Sequence, residues 1–182
     1  ARIGDPKHAE TQVGPVTTLA QRAKVLDHVA GACASGAQCV LGGGVPSVQG
    51  FEEGWFVEPT IFTGVHNNMP IARQEVFGPV LAVIPFDDEE EALSIANDTS
   101  YGLAAGVWTQ NISRAIRMSE EIEAGTVWVN TYRAVSFMAP FGGMKRSGIG
   151  RENGKEAMDE YLQTKSVWID LGSLTANPFV IR

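Results

Sequence analysis

Glu75 and Phe77 lie two residues apart in Ala72-Arg73-Gln74-Glu75-Val76-Phe77-Gly78-Pro79, just ahead of the most apolar run in the sequence. A carboxylate at Glu75 can accept two hydrogen bonds from the vicinal hydroxyls of a ribose, and the Phe77 ring offers an apolar wall to a flat heterocycle. The same pair also suits a salt bridge from Glu75 to Arg73, with Phe77 in the core, and in isolation it reads that way. Gln21 and Lys24 fall three apart on the polar face of a predicted helix, which by itself describes a solvated surface. Phe141, between Pro140 and Gly142-Gly143, suits a core plug and a substrate wall equally. Lys145, Arg146 and Arg151 make a basic cluster that fits surface solubility or an ion pair better than a phosphate.

Other chemistries find little support. Cys33 is expected on the apolar face of a helix and Cys39 at the start of a strand, where buried thiols are inert. Neither forms a CxxC pair or a convincing pairing with histidine. His8, His28 and His66 match no metal spacing. Gly42-Gly43-Gly44 lacks the Lys-Ser/Thr of a phosphate loop, and Gly148-Ile149-Gly150-Arg151-Glu152-Asn153 lacks the last glycine of a dinucleotide fingerprint. The 182 residues carry 14 Lys+Arg against 21 Asp+Glu, a net charge of -7, which argues against nucleic acid and anionic membranes as partners. No apolar run approaches the roughly 20 residues of a membrane helix. The sparse cysteines and the lack of a secretory signal imply a reducing, cytoplasmic setting. The chain opens Ala-Arg-Ile-Gly-Asp-Pro rather than with Met, so Ala1 is read as an internal position of something longer.

The elements that must position these residues follow from periodicity. Residues 16–35 predict an amphipathic helix with Leu19, Ala23, Leu26, Ala30 and Cys33 on its apolar face and Gly36 as its cap. Cys39 to Leu41 reads as a short strand, and Phe56 to Thr63 as extended with a break or edge at Pro59. Val80 to Ile84 reads as a strand buried on both faces. A helix begins around Asp87 and Glu90 with Ala92, Ile95 and Ala96 as its buried stripe, and Gly102 ends that region. Then come a strand from Leu103 to Trp108, a helix striped by Ile112, Ala115, Ile116, Ser119 and Ile122, and a strand from Thr126 to Val129. The alternation predicts an α/β fold, with an open, mostly parallel twisted sheet and flanking helices. Residues 131–150 read as a long irregular loop leaving the carboxyl end of a buried strand, where open α/β sheets place ligands. A short helix over 152–162, a strand from Thr164 to Leu171 and a tail from Asn177-Pro178 complete the reading.

Four ordered motifs then stand together: Glu75-Val76-Phe77-Gly78-Pro79, Tyr101-Gly102-Leu103-Ala104-Ala105, Gly125-Thr126-Val127-Trp128-Val129-Asn130, and Pro140-Phe141-Gly142-Gly143-Met144-Lys145-Arg146-Ser147-Gly148. In order and spacing the chain resembles the aldehyde dehydrogenase superfamily, from Gly4-Asp5-Pro6 to Thr164-Lys165. The resemblance implies oxidation of an aldehyde to a carboxylic acid with NAD or NADP, through a cysteine thiolate and a water-activating glutamate. It gives Glu75 the nicotinamide ribose, Phe77 the aromatic position beside it, Leu103 an apolar contact to the nicotinamide, and Gln21 and Lys24 polar positions near the same ribose. It makes Phe141 a wall of the aldehyde channel and residues 131–137, with Arg133 and Val135, a substrate-selecting loop. Arg133 there suits a polar or anionic aldehyde. Asn130 is expected to anchor that loop.

The resemblance also places the nucleophilic cysteine, the general-base glutamate, an oxyanion-stabilising asparagine and the dinucleotide-binding half upstream of Ala1. The chain therefore resembles the carboxyl-terminal part of such an enzyme. It divides into a partial catalytic domain over 1–155 and, over 156–182, a helix, a C-terminal oligomerisation strand and a tail that would join copies of the enzyme. No turnover and no bound cofactor are expected of the segment alone. The alternative is a stand-alone, non-catalytic module that keeps the fold for oligomerisation or ligand binding.

Overall fold

The computed structural model describes residues 1–172. Helix α1 (Leu19–Ala34) starts where Thr18, in extended backbone, accepts the Gln21 N–H on its hydroxyl. It ends in a Schellman motif, with the Gly36 N–H on the Cys33 carbonyl and the Ala37 N–H on the Ala32 carbonyl. Gly36 holds φ 95°, the left-handed conformation that glycine adopts without steric cost. The buried face differs from the predicted one. Val25, Val29 and Ala32 are buried, whereas Leu19 and Cys33 are exposed. The stripe is offset by one residue, about 100° around the helix. The offset is set by what packs there: Phe62, Val65 and Ile71 close over Val29 and Ala32.

That core sits beside a three-stranded sheet. Strand β1 (Gln38–Leu41) runs antiparallel to β2 (Thr60–Thr63), and β2 runs parallel to β3 (Val80–Ala82). A short helix α2 (Pro70–Arg73) lies between β2 and β3 in sequence and packs on α1. Helix α3 (Glu89–Asn97) is capped by the Asp88 carboxylate, which accepts the Glu91 N–H, and three glutamates in its first turn complement the helix dipole. Strands β4 (Tyr101–Gly102) and β5 (Ala104–Val107) follow, then α4 (Ile112–Glu121), capped by Asn111, and β6 (Thr126–Val129), parallel to β5. Strand β7 (Met144–Lys145) runs antiparallel to β4.

Several expectations need correction. The described residues form three separate sheets, two of whose pairings are antiparallel, rather than one open, mostly parallel sheet. An apolar strand is buried on both faces only when layers cover both. Leu81 on β3 is 56% exposed, so the run Val80 to Ile84 is covered on one side only. On α3 no residue is fully buried. On α4 the buried positions are Ala115 and Met118, followed by Ile122, while Ile112 and Ile116 face solvent. Residues 131–150 are not structureless, since they contain β7 and the start of an antiparallel bridge between Phe141 and Glu152. The short helix expected over 152–162 is a 3-10 helix confined to Glu156–Tyr161. Thr164 to Leu171 makes no strand pairing among the described residues, and Trp168 is 94% exposed. A strand exists only with a backbone partner, and none reaches this segment. The Asn177-Pro178 tail lies outside the described residues.

Phe62 is fully buried between α1 and the sheet. Phe62→Ala is expected to cost about 3–5 kcal/mol in urea unfolding, whereas Leu41→Ala, on an exposed strand position, stays within about 1 kcal/mol.

Candidate functional site

One face of α1 carries Gln21, Lys24 and Val25, spaced three and four apart. All three meet the loop 75–78. The Gln21 side-chain amide donates to the carbonyl oxygens of Val76 and Phe77, at 2.9 Å each. Lys24 Nζ lies 3.5 Å from the Glu75 carbonyl and 5.9 Å from the centre of the Phe77 ring, within cation–π range. Gly78 rests against Val25, where a β-carbon would come within 2.6 Å of a valine methyl. Phe77 holds φ 54°, and its side chain is 70% exposed.

Arg73 does not pair with Glu75. Its guanidinium forks onto the Asp98 carboxylate at 2.5 and 2.8 Å and also reaches the Asp98 carbonyl at 2.7 Å. Asn67 Nδ2 donates to the same carboxylate at 2.9 Å. The exposed Glu75 carboxylate takes no hydrogen bond among the described residues and is left for an external donor. The structure thus brings Gln21, Lys24, Glu75 and Phe77 together.

Leu103 and Phe141 meet elsewhere. They line a cleft of about 530 Å³ with Ser147, Arg151, Glu160 and Tyr161. None of the four residues around the 75–78 loop lines it, and neither does Arg133 or Val135. Phe141 is fixed by its backbone, which exchanges two 2.7 Å hydrogen bonds with Glu152. Gly125 must be glycine at the floor of this region, because a β-carbon would collide with the Gly142 carbonyl oxygen. Ser147 Oγ accepts the Gly102 N–H at 3.0 Å and ties the long loop to β4.

Arg133 and Val135 lie on an exposed loop after β6. Asn130, at φ 54°, anchors its start: its Oδ1 accepts the Thr109 N–H and its Nδ2 donates to the Thr109 carbonyl, both at 2.8 Å. This is the anchoring role expected of it. Trp128 Nε1 donates to the Ala134 carbonyl at 2.8 Å, and its ring meets Tyr132 edge-on at 5.5 Å.

Two members of the basic cluster, Lys145 and Arg151, are spent internally. Lys145 Nζ donates to the Asn97 carbonyl at 2.8 Å, closing the end of α3, and pairs with Glu123 at 2.5 Å. Arg151 donates to the carbonyls of Gly143 and Gly150 at 2.8 and 2.9 Å. Cys33 is exposed rather than buried, as is Cys39, and no histidine hydrogen-bonds either thiol among the described residues. No cluster of three His, Cys, Asp or Glu side chains that could hold a metal occurs among the described residues. Within them, no helix is long and apolar enough to cross a membrane.

The sequence reading missed Asn97 and Asp98. Asn97 bonds the Glu121 carbonyl and the Glu123 N–H, so the α3 terminus touches Asn67, Arg73, the end of α4 and Lys145. The available signal was the turn-forming run Asn97-Asp98-Thr99-Ser100.

Comparison with known proteins adds a lineage to this geometry. The profile of the "Aldehyde dehydrogenase family" matches residues 1–167. A betaine aldehyde dehydrogenase of Brucella anthropi is 51% identical over 173 residues, covering 95% of this chain and 36% of the relative. The Brucella melitensis enzyme of the same name is 50% identical with the same coverage. Among solved structures, a betaine aldehyde dehydrogenase from Staphylococcus aureus in complex with NAD+ superposes with TM-score 0.93 at 39% identity, covering 98% of this chain and 36% of that one. A Mycobacterium tuberculosis aldehyde dehydrogenase complexed with NAD+ gives 0.87 at 45% identity, covering 96% and 35%. The chain therefore spans about 36% of the length of the curated relatives it matches.

Ion pairs at Asp98 and Glu89 bring a pH dependence. The Arg73 guanidinium holds the Asp98 carboxyl below its ordinary value, and Arg114 then Arg117 do the same for Glu89. A carboxyl lowered by folding stabilises the fold above its unfolded value, about pH 4, and that stability fades as pH falls through the depressed folded value. Asp98→Asn is expected to lower the melting temperature at pH 7, with the gap to the parent closing towards pH 3. A gap constant with pH refutes the assignment.

Proposed function

The chain belongs to the aldehyde dehydrogenase family, and from that premise we propose that it is the carboxyl-terminal part of an enzyme oxidising an aldehyde to a carboxylic acid with NAD or NADP. The family match over residues 1–167 carries the reading. The carboxyl-terminal placement rests on the motif order from Glu75 to Ser147 and on the lack of a suitable nucleophile. Cys33 stands exposed at the end of α1 and Cys39 on β1, neither beside Glu75 nor in the Phe141 cleft. On this reading the thiolate that attacks the aldehyde, the glutamate that activates water and the asparagine that stabilises the oxyanion all precede Ala1.

The residues present fit a nicotinamide nucleotide. An exposed carboxylate with no internal hydrogen bond stands two residues from an exposed aromatic ring. Glu75 would hold the nicotinamide ribose through its two hydroxyls, and Phe77 would limit the travel of the ring, with Lys24 beside it and Leu103 as a further apolar contact. When bound, the nicotinamide accepts hydride. Phe141 would wall the aldehyde channel, with Arg133 and Val135 on the selecting loop.

The relatives' names and the cleft's chemistry favour a cationic, betaine-like aldehyde over the polar or anionic one that Arg133 suits, because Arg133 does not line the cleft. Phe141 and Tyr161 face the cleft together with Glu152 and Glu160, whereas Arg151 spends its hydrogens on two carbonyls. Aromatic faces and carboxylates attract a quaternary ammonium. We further assign residues 1–155 to a partial catalytic domain and 156–182 to assembly in a cytoplasmic homo-oligomer. The exposed Val167, Trp168, Ile169 and Leu171 support a strand that pairs only with another copy. The charge of -7 supports partners other than nucleic acid or anionic membrane.

The purified 182-residue chain is expected to show no NAD-dependent oxidation of betaine aldehyde and no micromolar NAD affinity by calorimetry, while the longer protein from the same coding sequence turns the aldehyde over. Turnover by the chain alone refutes the division of labour. A start codon immediately before the Ala1 codon instead favours the non-catalytic module.

A further inference from the structure

We propose that Gln21 is a positioning residue, whose amide fixes the turn that presents Glu75 and Phe77, rather than a group that donates to the cofactor; the cofactor half of this statement rests on the function proposed above. Both Nε2 hydrogens are already committed, to the Val76 carbonyl and the Phe77 carbonyl at 2.9 Å each. These are the peptide oxygens on either side of Phe77. A planar amide can reach both only if they lie side by side, and the left-handed backbone of Phe77, at φ 54°, puts them there. A residue with a β-carbon holds that conformation only when its surroundings impose it. Here they are a rigid helix 55 residues distant in sequence and a glycine, Gly78, closed against Val25 of the same helix.

The consequence lies on the opposite side of the turn. With its carbonyls turned towards α1, the segment leaves the Phe77 ring 70% exposed and the Glu75 carboxylate without an internal partner. Gln21 retains only its amide oxygen for any outside donor. A direct ligand role therefore depends on that oxygen, and the positioning role depends on the nitrogen. Two substitutions of similar size separate them. Gln21→Glu keeps an oxygen acceptor and loses both donors; Gln21→Met loses everything but the shape.

The test has two arms. In the 182-residue chain without cofactor, the backbone amide order parameters of Val76, Phe77 and Gly78 are expected to fall from the rigid range to below about 0.6 in both variants, because the grip on two carbonyls is lost, while those of Val25 and Phe62 stay as in the parent. In the full-length enzyme, both variants are expected to raise the KM for NAD roughly tenfold, with the aldehyde KM and the melting temperature nearly unchanged. Unaltered order parameters at 76–78 overturn the proposal, as does a fall throughout the core. A KM for NAD raised by Gln21→Met and spared by Gln21→Glu overturns it in favour of a direct ligand. If the parental full-length enzyme oxidises no aldehyde with NAD, the functional reading falls, and the relaxation arm still decides whether Gln21 holds the turn.

Discussion

Phe77, Asn130, Arg133, Lys145 and Asn153 all hold left-handed backbone, at φ between 53° and 59°. For residues with a β-carbon such conformations carry a local cost, smallest for Asn, and persist where neighbouring groups fix them. All five lie in the segments that display candidate site residues. Four have a visible restraint. Gln21 grips both carbonyls around Phe77, and Asn130 clasps both backbone groups of Thr109. Lys145 stretches its amine to the Asn97 carbonyl, and Trp128 holds the Ala134 carbonyl just after Arg133. Irregular loops can present side chains in fixed directions because side chains from regular elements hold their peptide units. The site depends on these polar grips, since its displayed residues are too exposed for burial to position them.

The grips converge on two platforms. The first is the outer face of α1, rigid because Val25, Val29 and Ala32 are sealed beneath it. The second is the carboxyl end of α3, where Asn97 and Asp98 gather Asn67, Arg73, Lys145 and the end of α4. Arg73 ends α2 two residues before Glu75, and Lys145 belongs to the loop that continues from Phe141. The Asp98 region therefore ties the carboxylate loop to the aromatic cleft without touching either displayed side chain. Coulomb attraction between exposed groups contributes little by itself. The forked geometry of Arg73 on Asp98 adds orientation, which is what a loop of this kind requires.

Periodicity made α1, α4, β5 and β6 legible, because each pattern of 3.6 or 2 residues is local. It did not reveal which face each helix buries. Val25 and Leu26 are neighbours of almost equal apolarity, and only the arrival of Phe62 and Ile71 selects between them. Strand pairing escaped for the same reason. Val80 to Ile84 has the composition of a doubly covered strand, but composition records the capacity for burial, and the covering layer must come from elsewhere. The grouping of Glu75 and Phe77 with Gln21 and Lys24 came from family resemblance, since about fifty residues separate the two pairs in sequence. Spacing on the helix alone described a solvated face, and the role of the Gln21 nitrogen emerges only from the two carbonyls opposite it. The Asp98 junction was missed because Asn and Asp after a helix read first as ordinary turn formers.

A small-molecule site ordinarily encloses most of its ligand. Here the 75–78 turn leaves a carboxylate and an aromatic ring exposed, so a nucleotide laid on them would be covered from one side only. The Phe141 cleft has depth, yet none of the four residues at the turn lines it. Two well-positioned partial surfaces cannot supply the affinity of one enclosed pocket, because each leaves most of the ligand in water and the entropy of immobilising it uncompensated. On the proposed function, enclosure would come from a further wall opposite Glu75 and Phe77. Phe86, Trp108, Phe137 and Ile149, large apolar side chains exposed on other loops and strand ends, show that the unmet burial extends well beyond the turn. The polar grips that hold the turn in shape before any ligand arrives are the property expected of a surface completed by docking: a preorganised half-site lowers the ordering cost when its other wall closes.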